Sequence, residues 1–418
     1  MNSKRELSLL DAVGIGVNGI VGSGIYLLVA PLARVGGGSS VAGVLGCGVL
    51  CVLIALCFAE LSSTYDRSGG PYIYARDAFG LHVGYAVGWL GMATGVLGLA
   101  AVSVGFAAAL GRFVPAASAL RVPIGVGLIC VLGAVNYLGV KAGGRTSTVL
   151  SIIKIVPLVL VALLGLRFAG RVPLTLHPRE AVSAAFLSIF MMSGFEYAAV
   201  PAGEVKDARR SVPLAIVGSI AFASLLYALL QFAALGALPD LAAHEQPLPD
   251  VAVRVLGAWG GPLLGFAAVL SMLGFCAGVA LVAPRYFTAL ANDGHLPAKL
   301  RETRPAILVS TAFASALAIV LGYASLVDVS NVVILSGYAL TCLATLVLRY
   351  RRPDLPRRYR LPLGPAIPLL AFLAALALLI AARPRAQEWR FSLVLLIIGF
   401  ALRGATLLAR RRVPGAQP

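Results

Sequence analysis

Long apolar stretches alternate with short polar segments along the whole chain. A helix needs about 20 mainly apolar residues to cross a membrane, and twelve stretches come close to or exceed this length. They cover residues 11–34, 40–64, 81–110, 122–140, 146–167, 182–201, 212–237, 260–289, 305–323, 326–348, 364–382 and 390–409. The pattern therefore predicts an all-α membrane protein with twelve transmembrane helices.

The composition excludes a soluble or disordered protein. Of the 418 residues, 59% are hydrophobic and 12% are charged, whereas soluble domains carry about 25% charged residues. The six cysteines all lie in apolar stretches, where a free cysteine acts as a small hydrophobic residue. Their spacing does not match that of metal ligands. We therefore expect one transmembrane domain over residues 1–418, with no disulfide framework, metal site or cofactor.

The net charge of +17 comes from basic residues that lie mostly between the apolar stretches. In such segments Lys and Arg set the orientation in the lipid bilayer, and we expect no binding of nucleic acid. With the N-terminus inside, the inner segments hold 23 basic residues and the outer segments hold ten. This bias predicts a multi-pass protein of the inner (cytoplasmic) membrane with both termini in the cytoplasm. The excess of Arg over Lys favours a bacterial gene.

Two of the apolar stretches contain residues that interrupt helices. The first has five glycines between positions 14 and 24, and the stretch 182–201 carries Gly194, Glu196 and Pro201. Each glycine inside a helix costs about 1 kcal/mol relative to alanine. Close packing against a neighbouring helix is the alternative explanation for glycines in a membrane helix. Either way, these two stretches differ from the other ten.

The two interrupted stretches open two successive sets of five helices. The first set covers residues 11–167 and the second covers 182–348, inverted because five is an odd number; two additional helices follow over 364–409. Interrupted helices at corresponding positions of two halves indicate a transport site near the bilayer midplane. A helix break offers N–H groups to an anion and C=O groups to a cation. The sequence therefore predicts a site for a zwitterion such as an amino acid.

Four segments resemble the amino acid–polyamine–organocation transporter superfamily. They are Gly22-Ser23-Gly24-Ile25-Tyr26; Gly194-Phe195-Glu196 followed by Gly203-Glu204-Val205-Lys206-Asp207 and Pro213; Arg285 with Asn292-Asp293-Gly294-His295-Leu296-Pro297; and Lys154. The Gly-Phe-Glu segment is most similar to that of arginine/agmatine and basic amino acid antiporters. The resemblance implies a LeuT-like fold, a five-plus-five inverted repeat in which helices 1 and 6 are broken.

The resemblance also implies which residues bind the substrate. The amides of Ser23 and Gly24 would hold the carboxylate, with help from the Ser23 hydroxyl, and backbone carbonyls near the two breaks would accept from the α-ammonium. Phe190 would also cover the site as an aromatic gate. The complete set of implied substrate-binding residues is Ile20, Gly22, Ser23, Gly24, Phe190, Ser193, Gly194 and Glu196, with Ile20, Phe190 and Ser193 supplying the carbonyls.

Two charged residues at membrane depth are candidates for coupling. Lys154 is the only Lys or Arg well inside an apolar stretch, and such residues normally face the protein interior; snorkelling to the interface is the alternative. The resemblance implies a tethered cation where relatives bind sodium, joining spans 1, 5 and 8. Glu196 would bind a proton during transport, or would instead cap the second half of span 6. We also expect Trp89 and Ser271 to line the site.

The remaining acids near the ends of spans, Asp11, Glu60 and Asp328, are expected at interfaces or helix caps. The sequence contains no Gly-x-x-x-x-Gly-Lys-Ser/Thr motif, which disfavours direct driving by ATP. The scattered histidines disfavour an enzyme. We expect secondary active transport of amino acids by alternating access, independent of sodium, as exchange or proton-coupled symport. Arginine, agmatine, polyamine and neutral amino acid substrates stay open, as do a channel and a homodimer.

Overall fold

The computed structural model describes residues 8–65, 70–139, 144–172, 175–199 and 205–411, and the long elements in these ranges are helices. In chain order they are α1 (Leu9–Ile20), α2 (Gly24–Leu27), α3 (Val29–Gly36), α4 (Ser40–Thr64), α5 (Pro71–Phe79), α6 (Leu81–Leu110), α7 (Ala116–Ala119), α8 (Arg121–Tyr137), α9 (Gly144–Gly165), α10 (Pro178–Met192), α11 (Ala208–Ala237), α12 (Pro247–Leu256), α13 (Gly260–Asn292), α14 (Thr303–Val320), α15 (Tyr323–Arg351), α16 (Ala366–Ala381) and α17 (Ala386–Arg411).

Each of the twelve predicted stretches overlaps one or more of these helices. Within the described ranges, nine helical segments are long and apolar enough to cross a membrane, and α8 and α16 are shorter apolar helices. The all-helical membrane class is therefore confirmed, whereas the count of twelve spans stays a prediction. The helix α5 was not predicted, because it is short and lies between two long stretches.

Both helix interruptions predicted from the sequence are present. α1 begins with a capping box in which Ser8 and Asp11 bond each other's backbone N–H groups, and it ends at Ile20. The chain resumes a helical path at Gly24, and the helical backbone angles of Leu28 carry that path from α2 into α3. α10 ends at Met192, and a 3-10 segment covers Phe195–Ala199. Pro201, Gly203 and Glu204 lie outside the described residues.

The helices differ strongly in how much protein surrounds them. In α6 the most apolar window is 83% buried within the protein, whereas the corresponding windows of α14 and α17 are 28% buried. Exposed leucines and isoleucines such as Leu373, Ile380, Ile397 and Leu408 cover the outer helices α16 and α17. A lipid bilayer solvates such side chains, so the outer helices face lipid and the inner helices surround the interrupted ones.

Candidate functional site

The two helix breaks touch each other through their backbones. A Cβ atom placed on Gly19 would lie 2.5 Å from the carbonyl oxygen of Gly194, and one on Gly194 would overlap the carbonyl oxygen of Gly19. Gly194 also has a φ angle of 109°, which residues with a side chain rarely adopt. Gly24 packs equally closely against Met191, the residue before the last one of α10. The glycines therefore interrupt the helices and also allow the breaks to pack together.

A small buried cavity lies between the breaks, with a volume of about 10 Å³, which is about the space of one water molecule. The wall contains six of the eight residues implied by the resemblance, namely Ile20, Gly22, Ser23, Gly24, Phe190 and Ser193. Gly194 and Glu196 are not part of this wall. Ser23 is completely buried and Phe190 is 7% exposed, so the protein encloses the cavity on this side.

Seven further residues complete the wall, and the sequence did not single them out. They come from the uninterrupted helices α6, α13 and α15 and from the 3-10 segment: Thr94, Gly98, Val102, Tyr197, Phe275, Ser330 and Ile334. The signal that located the breaks is a local one, glycines and an acid within an apolar stretch. The uninterrupted helices have no such local signal, because only their position in the fold brings these residues to the cavity.

The expectation for Trp89 is wrong, and Ser271 lies behind the wall. The Trp89 indole donates to the carbonyl of Leu395 at 2.7 Å, and its ring packs on Gly399 of α17. The Trp89 side chain therefore has its hydrogen-bond partner on α17 and lies away from the cavity. The Ser271 hydroxyl donates to the carbonyl of Val21 at 2.8 Å, which supports the break from the side of α13.

The free backbone groups of the first break are held mainly by Lys154. Its ammonium donates to Asn18 Oδ1 at 2.6 Å and to the Val21 carbonyl at 2.7 Å, with the Asn18 carbonyl at 3.4 Å. The amide of Asn18 in turn donates to the carbonyl of Gly274 at 3.0 Å. Because Ser271 shares the Val21 carbonyl, one group of hydrogen bonds joins α1, α9 and α13. Lys154 is 1% exposed and does not snorkel.

Glu196 stands beside the cavity rather than in its wall. Its Oε2 atom accepts from the Gly194 amide at 2.8 Å and from the Tyr338 hydroxyl at 2.7 Å. The residue lines a second cavity, which shares Thr94, Tyr197 and Ile334 with the first. This geometry matches the capping alternative, in which the carboxylate holds the start of the 3-10 segment.

The carbonyls near the breaks differ in how much of their hydrogen-bonding capacity is free. The Ile20 carbonyl accepts from the Gly22 amide at 2.9 Å and from the Tyr227 hydroxyl at 3.3 Å. The Phe190 carbonyl accepts from the Ser193 hydroxyl at 2.9 Å. A carbonyl oxygen has two lone pairs. Both lone pairs of the Ile20 oxygen accept hydrogen bonds, whereas the Phe190 oxygen keeps one lone pair for a ligand.

Other charged side chains lie near the ends of the helices, away from the cavity. Arg349 of α15 binds the carboxylate of Glu60 through two nitrogens, one of them at 2.8 Å, and the Leu361 amide donates to the same carboxylate at 2.9 Å. Near α12, Asp250 accepts from Arg112 at 3.1 Å and contacts His244 at 2.8 Å. The hydrogen bond with Asp250 is the largest of the effects that raise the pKa of His244.

A buried cavity between two broken membrane helices is typical of a multi-pass transporter. The chain belongs to the amino acid permease family, whose model matches residues 7–402. It is 26% identical to the serine/threonine exchanger SteT of Bacillus subtilis over 390 residues, 88% of this chain and 89% of that one. It is 28% identical to the vacuolar cationic amino acid transporter 4 of Arabidopsis thaliana over 386 residues, 84% of this chain and 64% of that one.

The fold is similar to that of a solved structure. The structure of MhsT in complex with L-phenylalanine superposes with a TM-score of 0.68 and covers 91% of this chain and 99% of that chain, at 17% identity. This likeness confirms the fold class, with broken helices in an all-helical membrane protein. The family match makes the protein a transporter of the amino acid–polyamine–organocation superfamily and not an enzyme. The basic amino acid subtype is not established.

Proposed function

We propose that the protein carries amino acids across the inner membrane by alternating access, with both termini in the cytoplasm. The observation that supports this most is the cavity between the two breaks. It gathers Ser23, Gly24, Phe190 and Ser193 from two segments that are 166 to 170 positions apart in the chain. A ligand that bonds both segments would hold the two breaks together, and its release would let them separate.

The first break supplies the group for the substrate carboxylate. The opening turn of a helix leaves N–H groups without partners in the helix, and its dipole favours an anion. In this chain that turn is formed by Ser23 and Gly24, and Leu28 continues it into α3 through a bond from the Leu32 amide at 2.8 Å. The α-ammonium would bind the carbonyls of Phe190 and Ser193 at the end of α10.

Lys154 would replace a coupling ion. Oxygen atoms of uncharged groups are typical ligands of hard metal cations, and the Lys154 ammonium takes three contacts of this kind from Asn18 and Val21. We therefore propose transport that does not require sodium. Exchange and proton-coupled symport both agree with this geometry. In proton-coupled symport, the proton would act through Glu196 and Lys154.

Counterflow in proteoliposomes tests this function. Vesicles loaded with an unlabelled amino acid mixture should accumulate labelled amino acid from outside, equally well in sodium and in choline buffers. Protein-free vesicles are the control. Accumulation that requires a sodium gradient would contradict the role of Lys154, and a lack of any exchange would contradict amino acid transport.

Two substitutions in the first break test where the carboxylate binds. Ser23→Pro removes an N–H group and the hydroxyl, which is the loss of two charge-assisted hydrogen bonds, and Gly24→Val forces a side chain against Met191. Both should reduce substrate binding at least about a hundredfold. Binding is measured by isothermal calorimetry on protein that elutes as a single species in detergent. Wild-type affinity in either variant would refute this placement. Gly127→Ala is the matched control, because a Cβ there meets no atom within 4 Å.

A further inference from the structure

We infer that the cavity selects amino acids with a small, uncharged side chain. This inference rests on the proposed function and narrows it to one substrate class. The sequence alone left arginine, agmatine, polyamines and neutral amino acids open, because the residues that face the substrate side chain could not be located. The structure locates them on α6, α13 and α15, opposite the two breaks.

The wall contains no charged side chain among the described residues. A guanidinium or a second ammonium in this space would lose its hydration without gaining a carboxylate partner. An unpaired buried charge costs several kcal/mol, and each 1.4 kcal/mol is a tenfold loss of affinity. The site therefore opposes cationic side chains by its chemistry as well as by its volume.

Glu196 does not supply the missing counter-charge. Its Oε2 atom is engaged by Tyr338 and by the Gly194 amide. The residue also belongs to the neighbouring cavity, and the side chains of Thr94, Tyr197 and Ile334 lie between the two spaces as a shared wall. A long cationic side chain would have to pass this wall before it reached the carboxylate.

Gly98 and Phe275 set the width available to the substrate side chain. A Cβ placed on Gly98 would lie 3.5 Å from Phe275 Cζ and 3.8 Å from its Cε1. An added methyl group would therefore fit in ordinary contact with the ring, but it would occupy space within the cavity. Thr94 and Ser330 belong to the same wall and make it less apolar. The Ser330 hydroxyl donates to the Leu326 carbonyl at 2.6 Å, so it can accept a hydrogen bond from a short polar side chain.

The first test compares unlabelled amino acids as internal exchange partners in counterflow. Alanine, serine, threonine and valine should each drive uptake of the same labelled amino acid at least about tenfold better than arginine, lysine or agmatine. Equal or better exchange with the cationic compounds would overturn the inference while leaving amino acid transport intact. Failure of every amino acid would overturn the proposed function itself.

The second test changes the width of the cavity by one methyl group. Gly98→Ala should weaken competition by valine about tenfold or more, as expected for one carbon in a tight pocket, and should leave alanine nearly unchanged. Gly95→Ala is a matched control on the same helix, because its Cβ would meet Ala283 Cβ at the same 3.5 Å and Gly95 lines neither cavity. Equal effects of the two variants, or an equal loss of alanine and valine, would overturn the role of Gly98.

Discussion

The two helix breaks satisfy their backbone groups in different ways. In the first break, the carbonyls near Val21 are held by side chains from other helices, Lys154 of α9 and Ser271 of α13. In the second break, the Gly194 amide is bound by Glu196, two residues further along, and the Phe190 carbonyl is bound by Ser193. The first break therefore depends on distant parts of the chain, whereas the second is largely stabilised by its own residues.

This difference bears on the proposed alternating access. The hydrogen bonds of a break that is held by other helices change when those helices move. A movement of α9 or α13 would therefore alter the hydrogen bonds of the first break. A break that is held mainly by its own residues depends less on such movements, and in the second break the contact from another helix is the one between Tyr338 of α15 and Glu196. In a membrane each unsatisfied backbone group costs several kcal/mol, so neither set of contacts is dispensable. We expect substitutions that remove distant contacts to affect the transport cycle more than those that alter local contacts.

The largest effect should follow from Lys154→Ala. The variant removes the donor to Asn18 and Val21. The buried Asn18 Oδ1 atom is left unpaired, at about 1–3 kcal/mol, and the Val21 carbonyl keeps only the Ser271 hydroxyl. We expect transport to fall at least a hundredfold, measured as initial uptake in proteoliposomes at equal reconstituted protein. Lys299→Ala removes an exposed lysine and should leave uptake unchanged. Uptake of the Lys154 variant within threefold of wild type would show that the first break does not need its distant contact.

A smaller effect is expected at the locally held break. Glu196→Gln keeps an oxygen that can accept from Tyr338 and the Gly194 amide but replaces two charge-assisted hydrogen bonds with neutral ones. That exchange costs about 1 kcal/mol, roughly a fivefold loss of uptake at neutral pH.

The pH profile of this variant separates coupling from capping. If Glu196 binds a proton during transport, the dependence of flux on pH between about 5 and 7.5 should be largely lost in Glu196→Gln. Flux is measured across this range in both proteins at equal protein per vesicle. A mutant profile that parallels the wild type would leave Glu196 as a cap of the 3-10 segment alone.

The breaks were predictable from sequence because their signal is local. Glycines and an acid within an apolar stretch indicated both positions, and the single lysine at membrane depth indicated a partner for one of them. The residues opposite the breaks were not predictable. Gly95 and Gly98 lie in the same apolar helix and look equivalent in the sequence, yet one faces Ala283 and the other faces the cavity. Trp89 was misplaced for the same reason, because the partner that satisfies it lies on α17.

The smallest effect should come from Ser271→Ala, which tests how the first break shares its contacts. Ser271 and Lys154 donate to the same Val21 carbonyl, so loss of the hydroxyl leaves that oxygen with one donor and costs only about 1 kcal/mol. We expect a fivefold or smaller loss of uptake. Ser310→Ala is the control and should cause no loss, because the Ser310 hydroxyl donates within its own helix, to the carbonyl of Ile307. In a double variant with Lys154→Ala the two losses should not add, since residues that share a partner are coupled. Independent, additive losses in that double-mutant cycle would mean that α9 and α13 support the break separately.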